Sequence, residues 1–292
     1  YFYQKRHRRT NDTGGNTLWA YRDAQKAGEK DEKMILASDY DGTFHVDEEQ
    51  TLKNLEAVKR WRALGHEFGL VTGRSYEMAM MAVKEYQLPL DFLICNNGAA
   101  IYRLDGTLLD HTPMNRDRLK DFWALPSVKL APRVFALSAQ GTFIARMDQE
   151  ITFFARQLDV PFISMDKVGE LNPIWQFSLG FSKDEDAKIC CQEINRLLGE
   201  DFSAYFNQWN VDVVAGGMSK SVGIHKYIKI AGKQGQRPLV VGDGGNDVDM
   251  IQEFGGFTIK GGCAQAKEVA RRIFDSVEDL IENALQEESQ VV

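Results

Sequence analysis

Along the chain, short apolar runs alternate with longer stretches in which apolar residues recur every three or four positions. "MILAS", from residue 34, reads as a buried strand. "DEEQTLKNLEAVKRWRALG" predicts a helix with Leu52, Leu55, Val58, Trp61 and Leu64 on its apolar stripe and Gly65 as its stop. "EFGLVT" predicts a second strand, "SYEMAMMAVKEYQL" a second helix closed by Pro89, and "DFLICNNG" a third strand running into a loop. "AAIYRLDGTLLDH" predicts a hairpin that turns at Asp105-Gly106. Strands and helices in this alternation imply a parallel α/β sheet.

The pattern changes between residues 113 and 213. There "RVFALSA", "TFIARM" and "IWQFSLGFS" lie among helix-like stretches such as "DEDAKICCQEINRLLG", which predicts an inserted α+β domain. Beyond it, "SVGIHKYIKIAG" reads as helix, "PLVVGDGGND" as a buried strand ending in acid, and "AKEVARRIFDSVEDLIENALQ" as a single closing helix. The expected fold is therefore α/β, a Rossmann-like doubly wound parallel-sheet core split into 34–112 and 214–292 around the insertion. In such sheets ligands sit beyond the carboxyl ends of the strands. That directs attention to Asp39-Tyr40-Asp41, Thr72-Gly73-Arg74, Asn96-Asn97-Gly98 and the run Asp243-Gly244-Gly245-Asn246-Asp247.

Bulk properties narrow the picture. A chain of 292 residues suits about two domains and buries a core without disulfide staples. The net charge of −7 argues against a polyanion binder, and no run of apolar residues reaches the ~18 of a membrane span. Cys95, Cys190, Cys191 and Cys263 have no metal-site or paired spacing, so they read as thiols of a reducing cytoplasm. Residues 1–33 are basic, eight Lys/Arg against five Asp/Glu, and lack the apolar stretch of a signal peptide. They are expected to be an extension outside the folded enzyme; the rival reading is a small arm for nucleic acid or a protein partner.

Asp39 and Asp41 pose the chemical question. Two carboxylates about 4 Å apart repel by about 4 kcal/mol at an effective dielectric near 20. A bound cation, a shared proton or solvent exposure would each relieve this. "VVGDGGND" has a dinucleotide-site look, but a G-x-G-x-x-G turn needs glycine where Asp247 stands, and a pyrophosphate would meet Asp243 and Asp247. Those acids instead fit a hard cation such as Mg²⁺.

Taken in order, "DYDGT", "VTGRS", the isolated Lys220 and "GDGGNDVDM" resemble the four motifs of the haloacid dehalogenase superfamily of phosphatases. The insertion between the second and third motifs, and "NNGA" after the third strand, resemble its Cof-type (subclass IIB) members. The resemblance implies a Mg²⁺-dependent phosphatase of small phosphorylated metabolites such as sugar phosphates, with residues 113–213 as a cap that sets specificity. Asp39 matches the nucleophile that takes the phosphoryl group, and Asp41 the general acid and base. Asp243 matches the carboxylate anchoring the metal, with Asp39, Asp247 and the Asp41 backbone carbonyl beside it. Thr72, Gly73, Lys220 and Asn246 match the positions that hold the phosphoryl oxygens. Tyr40 and Phe44 depart from the usual aliphatic residues as packing changes. Gly261-Gly262-Cys263-Ala264 replaces a Met-Gly-Asn-Ala pattern, so the asparagine of that loop has no counterpart here.

The bland reading holds for the remaining candidates. His45, His66, His111 and His225 are expected to be structural, and Trp175 and Phe177 to be core. A phosphohexomutase of the same fold and a catalytically silent sensor of phosphorylated ligands are the alternatives. The mutase calls for a more basic cap than the scattered Arg133, Arg146, Arg156 and Lys167. The sensor has no need of Asp39.

Overall fold

The computed structural model describes residues 33–147 and 160–291. The predicted N-terminal extension thus lies outside the described residues, apart from Lys33.

Among the described residues, thirteen strands form two sheets. In chain order they are β1 (Ile35–Ser38), β2 (Glu67–Val71), β3 (Phe92–Cys95), β4 (Ala100–Tyr102), β5 (Leu108–His111), β6 (Arg133–Ser138), β7 (Gly141–Arg146), β8 (Ile174–Gly180), β9 (Phe202–Asn207), β10 (Asn210–Ala215), β11 (Leu239–Gly242), β12 (Phe257–Ile259) and β13 (Arg272–Phe274). The larger sheet has the order β13-β12-β11-β1-β2-β3-β4-β5. From β13 to β3 every pairing is parallel, and β4 and β5 join as the predicted antiparallel hairpin. All four residues of β1 are buried, as an interior strand covered on both faces must be.

The chain leaves β1 towards β2 and β3 on one side, then returns to place β11 on the other. Their carboxyl ends therefore open a crevice between β1 and β11, the usual ligand position in a doubly wound sheet. The first helix, Glu48–Ala63, starts where the Asp47 side chain accepts a hydrogen bond from the Gln50 N–H at 2.8 Å. Its Leu55, Val58 and Trp61 are buried, but Leu52 and Leu64 at the ends of the predicted stripe are 48% and 53% exposed. A repeat of three falls about 60° short of each full turn of a 3.6-residue helix, so a stripe of such steps winds off the buried face.

The second sheet, order β7-β6-β8-β10-β9, is antiparallel throughout and lies within residues 133–215. Its apolar face packs Phe177, Leu179, Val211 and Val213 against Phe122 and against Ala187, Cys190 and Ile194 of the Asp184–Leu198 helix. Trp175 and Phe177 are core residues, as expected.

The closing segment departs from its prediction. The expected single helix is two, Ala264–Val269 and Val277–Val291, separated by β13. Phe274 explains the break: it is 1% exposed, packs edge-on against Phe257 at 5.4 Å, and lies on a strand parallel to β12. Burying that ring in the sheet outweighs the helical spacing of its neighbours. No described helix is long and apolar enough to cross a membrane.

Candidate active site

Two neighbouring strands bring the acids together. Asp39 follows β1 directly, and its N–H donates to the Val241 carbonyl of β11 at 2.9 Å. Asp243 follows β11, and Asp247 caps the turn beyond it, accepting from the N–H groups of Asp243 at 3.0 Å and Gly244 at 2.8 Å through Oδ2. Carboxylate oxygens of Asp39, Asp243 and Asp247 lie within 4.8 Å of one another. Thr43 donates to Asp243 Oδ1 at 2.6 Å. Gly42 lets the two loops meet: at φ +85°, a Cβ built there would sit 2.5 Å from Asp243 Oδ2.

Lys220 opens the helix Lys220–Ile230, whose Ser219 cap accepts from the Val222 N–H. Its side chain is fully buried, and Nζ donates to Asp39 Oδ1 and Asp247 Oδ1, both at 2.6 Å. Burial works against its charge, but Asp247 and Asp39 outweigh burial and keep the ammonium protonated. Burial raises the proton affinity of Asp39, with Lys220 pulling the other way and Asp247 and Asp243 adding repulsion. Asp243 is shifted up by burial and by Asp247, with Thr43 and Lys220 opposing. Three carboxylates around one ammonium leave an excess of negative charge on clustered oxygen donors. A hard divalent cation fits that donor set.

The other predicted residues are placed unevenly. Thr72 ends β2, next to β1; it is 1% exposed, and its Oγ1 accepts from the Arg74 N–H at 3.1 Å. Asn246 donates to Asn97 Oδ1 at 2.9 Å rather than to the acid cluster. The carboxylate of Asp41 stands apart from the acid cluster. Arg74 grips it with Nε at 2.7 Å and Nη2 at 2.6 Å. The cause is local: the Arg74 guanidinium lies over the Tyr40 ring at 4.6 Å, which aims its fork at Asp41. Tyr40 is thus more than packing.

His45 stacks on Tyr40 and pairs with Thr51 through Nδ1 at 2.9 Å. His66 accepts from the Met34 N–H and meets Glu288, and His111 accepts from the Trp175 indole. These are structural histidines. Sequence reasoning did not find Asp212, a lone acid in the apolar strand "NVDVVA", although its place among valines was the available signal. Its Oδ1 accepts from Ser178 Oγ at 2.5 Å and its Oδ2 from Asn97 Nδ2 at 3.0 Å, and it lies 3.0 Å from where a Gly73 Cβ would be.

Several known proteins resemble this chain in sequence or in fold. A 5-amino-6-(5-phospho-D-ribitylamino)uracil phosphatase of Bacillus subtilis, YitU, is 24% identical over 246 residues, 82% of this chain and 90% of its own. A HAD/COF-like hydrolase from Plasmodium vivax superposes with a TM-score of 0.75 at 18% identity, covering 87% of this chain and 96% of that one. BT1666, from a study of HAD phosphatases, of Bacteroides thetaiotaomicron superposes with a TM-score of 0.70 at 23% identity, covering 88% and 95%. The two superpositions speak for the fold. The sequence profile of one family runs through both halves of the larger sheet and the insertion, matching residues 36–282, and by it the chain belongs to the haloacid dehalogenase-like hydrolases.

Proposed function

We propose that this chain hydrolyses phosphomonoesters of small metabolites, sugar or polyol phosphates, through a phosphorylated Asp39. The observation that carries the reading is the buried Lys220 held between Asp39 and Asp247 with Asp243 alongside, at the open ends of β1 and β11.

Asp39 attacks phosphorus, and the bond from phosphorus to the leaving oxygen breaks as Asp41 gives that oxygen its proton. Asp41 then takes a proton from water, whose oxygen attacks phosphorus, releasing inorganic phosphate and freeing Asp39. Lys220 has three N–H donors and spends two on Asp39 and Asp247, which leaves one for a phosphoryl oxygen. The Thr72 hydroxyl and the Gly73 and Asn246 amides hold the remaining oxygens. Asp39, Asp243 and Asp247, with the Asp41 carbonyl, would hold Mg²⁺, which would supply positive charge to offset the approach of two anions. The half-exposed Asp41 carboxylate exchanges its grip on Arg74 for the leaving oxygen during the cycle.

Residues 113–213 act as the cap. While one face of the second sheet is apolar, the other carries the paired Asn207 and Asn210, amides suited to a hydroxyl-rich leaving group. The name of the Bacillus relative, whose substrate bears its phosphate on a ribityl chain, supports the same class. Four unbridged thiols support a cytoplasmic setting.

The test is phosphate release across a panel of sugar and polyol phosphates, with Mg²⁺ or EDTA, beside Asp39→Asn. Mg²⁺-dependent release that the substitution abolishes is expected. Release persisting in Asp39→Asn would overturn the nucleophile.

A further inference from the structure

Asn97 stands where the loop after β2, the start of the Lys220 helix, the turn after β11 and the inserted unit meet. It adopts the left-handed conformation, φ 49° and ψ 40°, which asparagine tolerates better than most side chains. Its N–H donates to the Thr72 carbonyl at 3.0 Å, which fixes it to the loop after β2. The next residue, Gly98, presses its Cα against Gly223 and the Ser219 carbonyl, at the start of the Lys220 helix. Asn97 is 1% exposed, and its side chain makes three hydrogen bonds. Nδ2 donates to Gln176 Oε1 at 3.1 Å and to Asp212 Oδ2 at 3.0 Å, both from the inserted unit. Oδ1 accepts from Asn246 Nδ2 at 2.9 Å. Gln176 in turn donates through Nε2 to the Gly73 carbonyl at 3.1 Å, which leaves its oxygen facing Asn97.

This geometry has a direction. An amide turned by 180° swaps its oxygen for its donors. With Gln176 Oε1 and the Asp212 carboxyl in place, a flipped Asn97 would set oxygen against oxygen and an NH2 against the NH2 of Asn246. Docking of the inserted unit therefore holds the Asn97 amide in the one orientation that offers Asn246 an acceptor. Withdraw that unit, and both orientations cost about the same. Leaving a buried amide hydrogen bond unmade is costly enough to decide the orientation of Asn246.

We propose that Asn97 is a positioning residue that makes the orientation of Asn246, and with it the phosphate pocket, conditional on the docked inserted unit through Gln176 and Asp212. The proposal rests on the phosphatase reading for its kinetic consequence, though its structural consequence stands apart from turnover. Closure over a leaving group then completes the pocket, and small esters that do not hold the unit in place are hydrolysed poorly.

The test uses the full chain. Asn97→Gly keeps the left-handed backbone and removes only the amide; Asp212→Ala removes an acceptor that Asp212→Asn supplies again through its carbonyl. Thr142→Val is the control, since it breaks a different bond between the inserted unit and the core, Thr142 Oγ1 to Ser75 Oγ at 3.0 Å. Asn97→Gly and Asp212→Ala are expected to lower kcat about tenfold or more on the best panel substrate. Asp212→Asn recovers most of that loss, and Thr142→Val stays within about twofold, as expected for a lone peripheral hydrogen bond. In an Asn246→Ala background, Asn97→Gly should have no further effect on kcat. Additive losses would overturn the proposal, and so would Asp212→Asn falling as low as Asp212→Ala. Independently of turnover, the Asn246 side-chain amide resonance should move in Asn97→Gly and Asp212→Ala but not in Thr142→Val. An unmoved resonance would also overturn it. A wild-type chain that releases no phosphate would count against the phosphatase reading alone, and the resonance would still decide the coupling.

Discussion

Gly42 occupies a position that no other residue fills without displacing Asp243, because its φ is positive and an acid oxygen stands where Cβ would go. Gly42→Ala is therefore expected to cost about 1–3 kcal/mol in stability, read from urea unfolding, and to reduce turnover by moving Asp243. Lys220→Met leaves two buried carboxylates without their cation. A loss of about 3–5 kcal/mol in the same measurement is expected. Asp212 is held neutral-favouring by burial, against the hydrogen bonds from Ser178 and Asn97. A raised folded-state proton affinity stabilises the fold below the unfolded carboxylate range, and that contribution is lost as pH rises through the raised value. The melting temperature of the wild type should therefore fall relative to Asp212→Asn as pH rises above the unfolded aspartate value of about 3.9. At this scale the sequence displayed the proposed reacting groups well, since Asp39, Asp243 and Lys220 follow or begin elements that periodicity locates. It hid their partners. Nothing in "VTGRS" tells that Arg74 reaches back across 33 residues to Asp41, and nothing in "NNG" tells which acceptors Asn97 finds.

The elements themselves were legible wherever burial and period agreed. β1, β2, β3 and β11 are short apolar runs that no amphipathic helix imitates, and both their existence and their order along the chain follow from the residues. The closing segment was misread because three residues decide it. Arg272, Ile273 and Phe274 carry no turn signal of their own, and only the neighbouring β12 makes them a strand. Phe274→Ala should cost about 3–5 kcal/mol, while Ile273→Ser, at a position 46% exposed, should stay within about 0.5 kcal/mol in parallel thermal or urea denaturation. The reverse ranking would mean that Phe274 is not seated in the sheet. The boundaries of the inserted unit were harder to see. Its small helices, Leu119–Ala124 and Pro126–Leu130, are too short to display a period.

Over the whole molecule, a cation bound by Asp39, Asp243 and Asp247 in the folded state alone must stabilise that state by mass action. Millimolar Mg²⁺ should raise the melting temperature, EDTA should reverse the gain, and Asp243→Asn should abolish most of it. The placement of β1 also bears on how the molecule is made. Leu36 pairs with Phe68 on one side and with Leu239 on the other. A ribosome adding roughly 5–20 residues per second finishes the second partner on the order of ten to forty seconds after β1 emerges. Throughout that interval the nascent chain carries a mostly apolar strand with one unpaired edge, the kind of surface that chaperones cover and that neighbouring polypeptides capture. The price of a reactive centre assembled from both ends of a split sheet is this interval of exposure during synthesis.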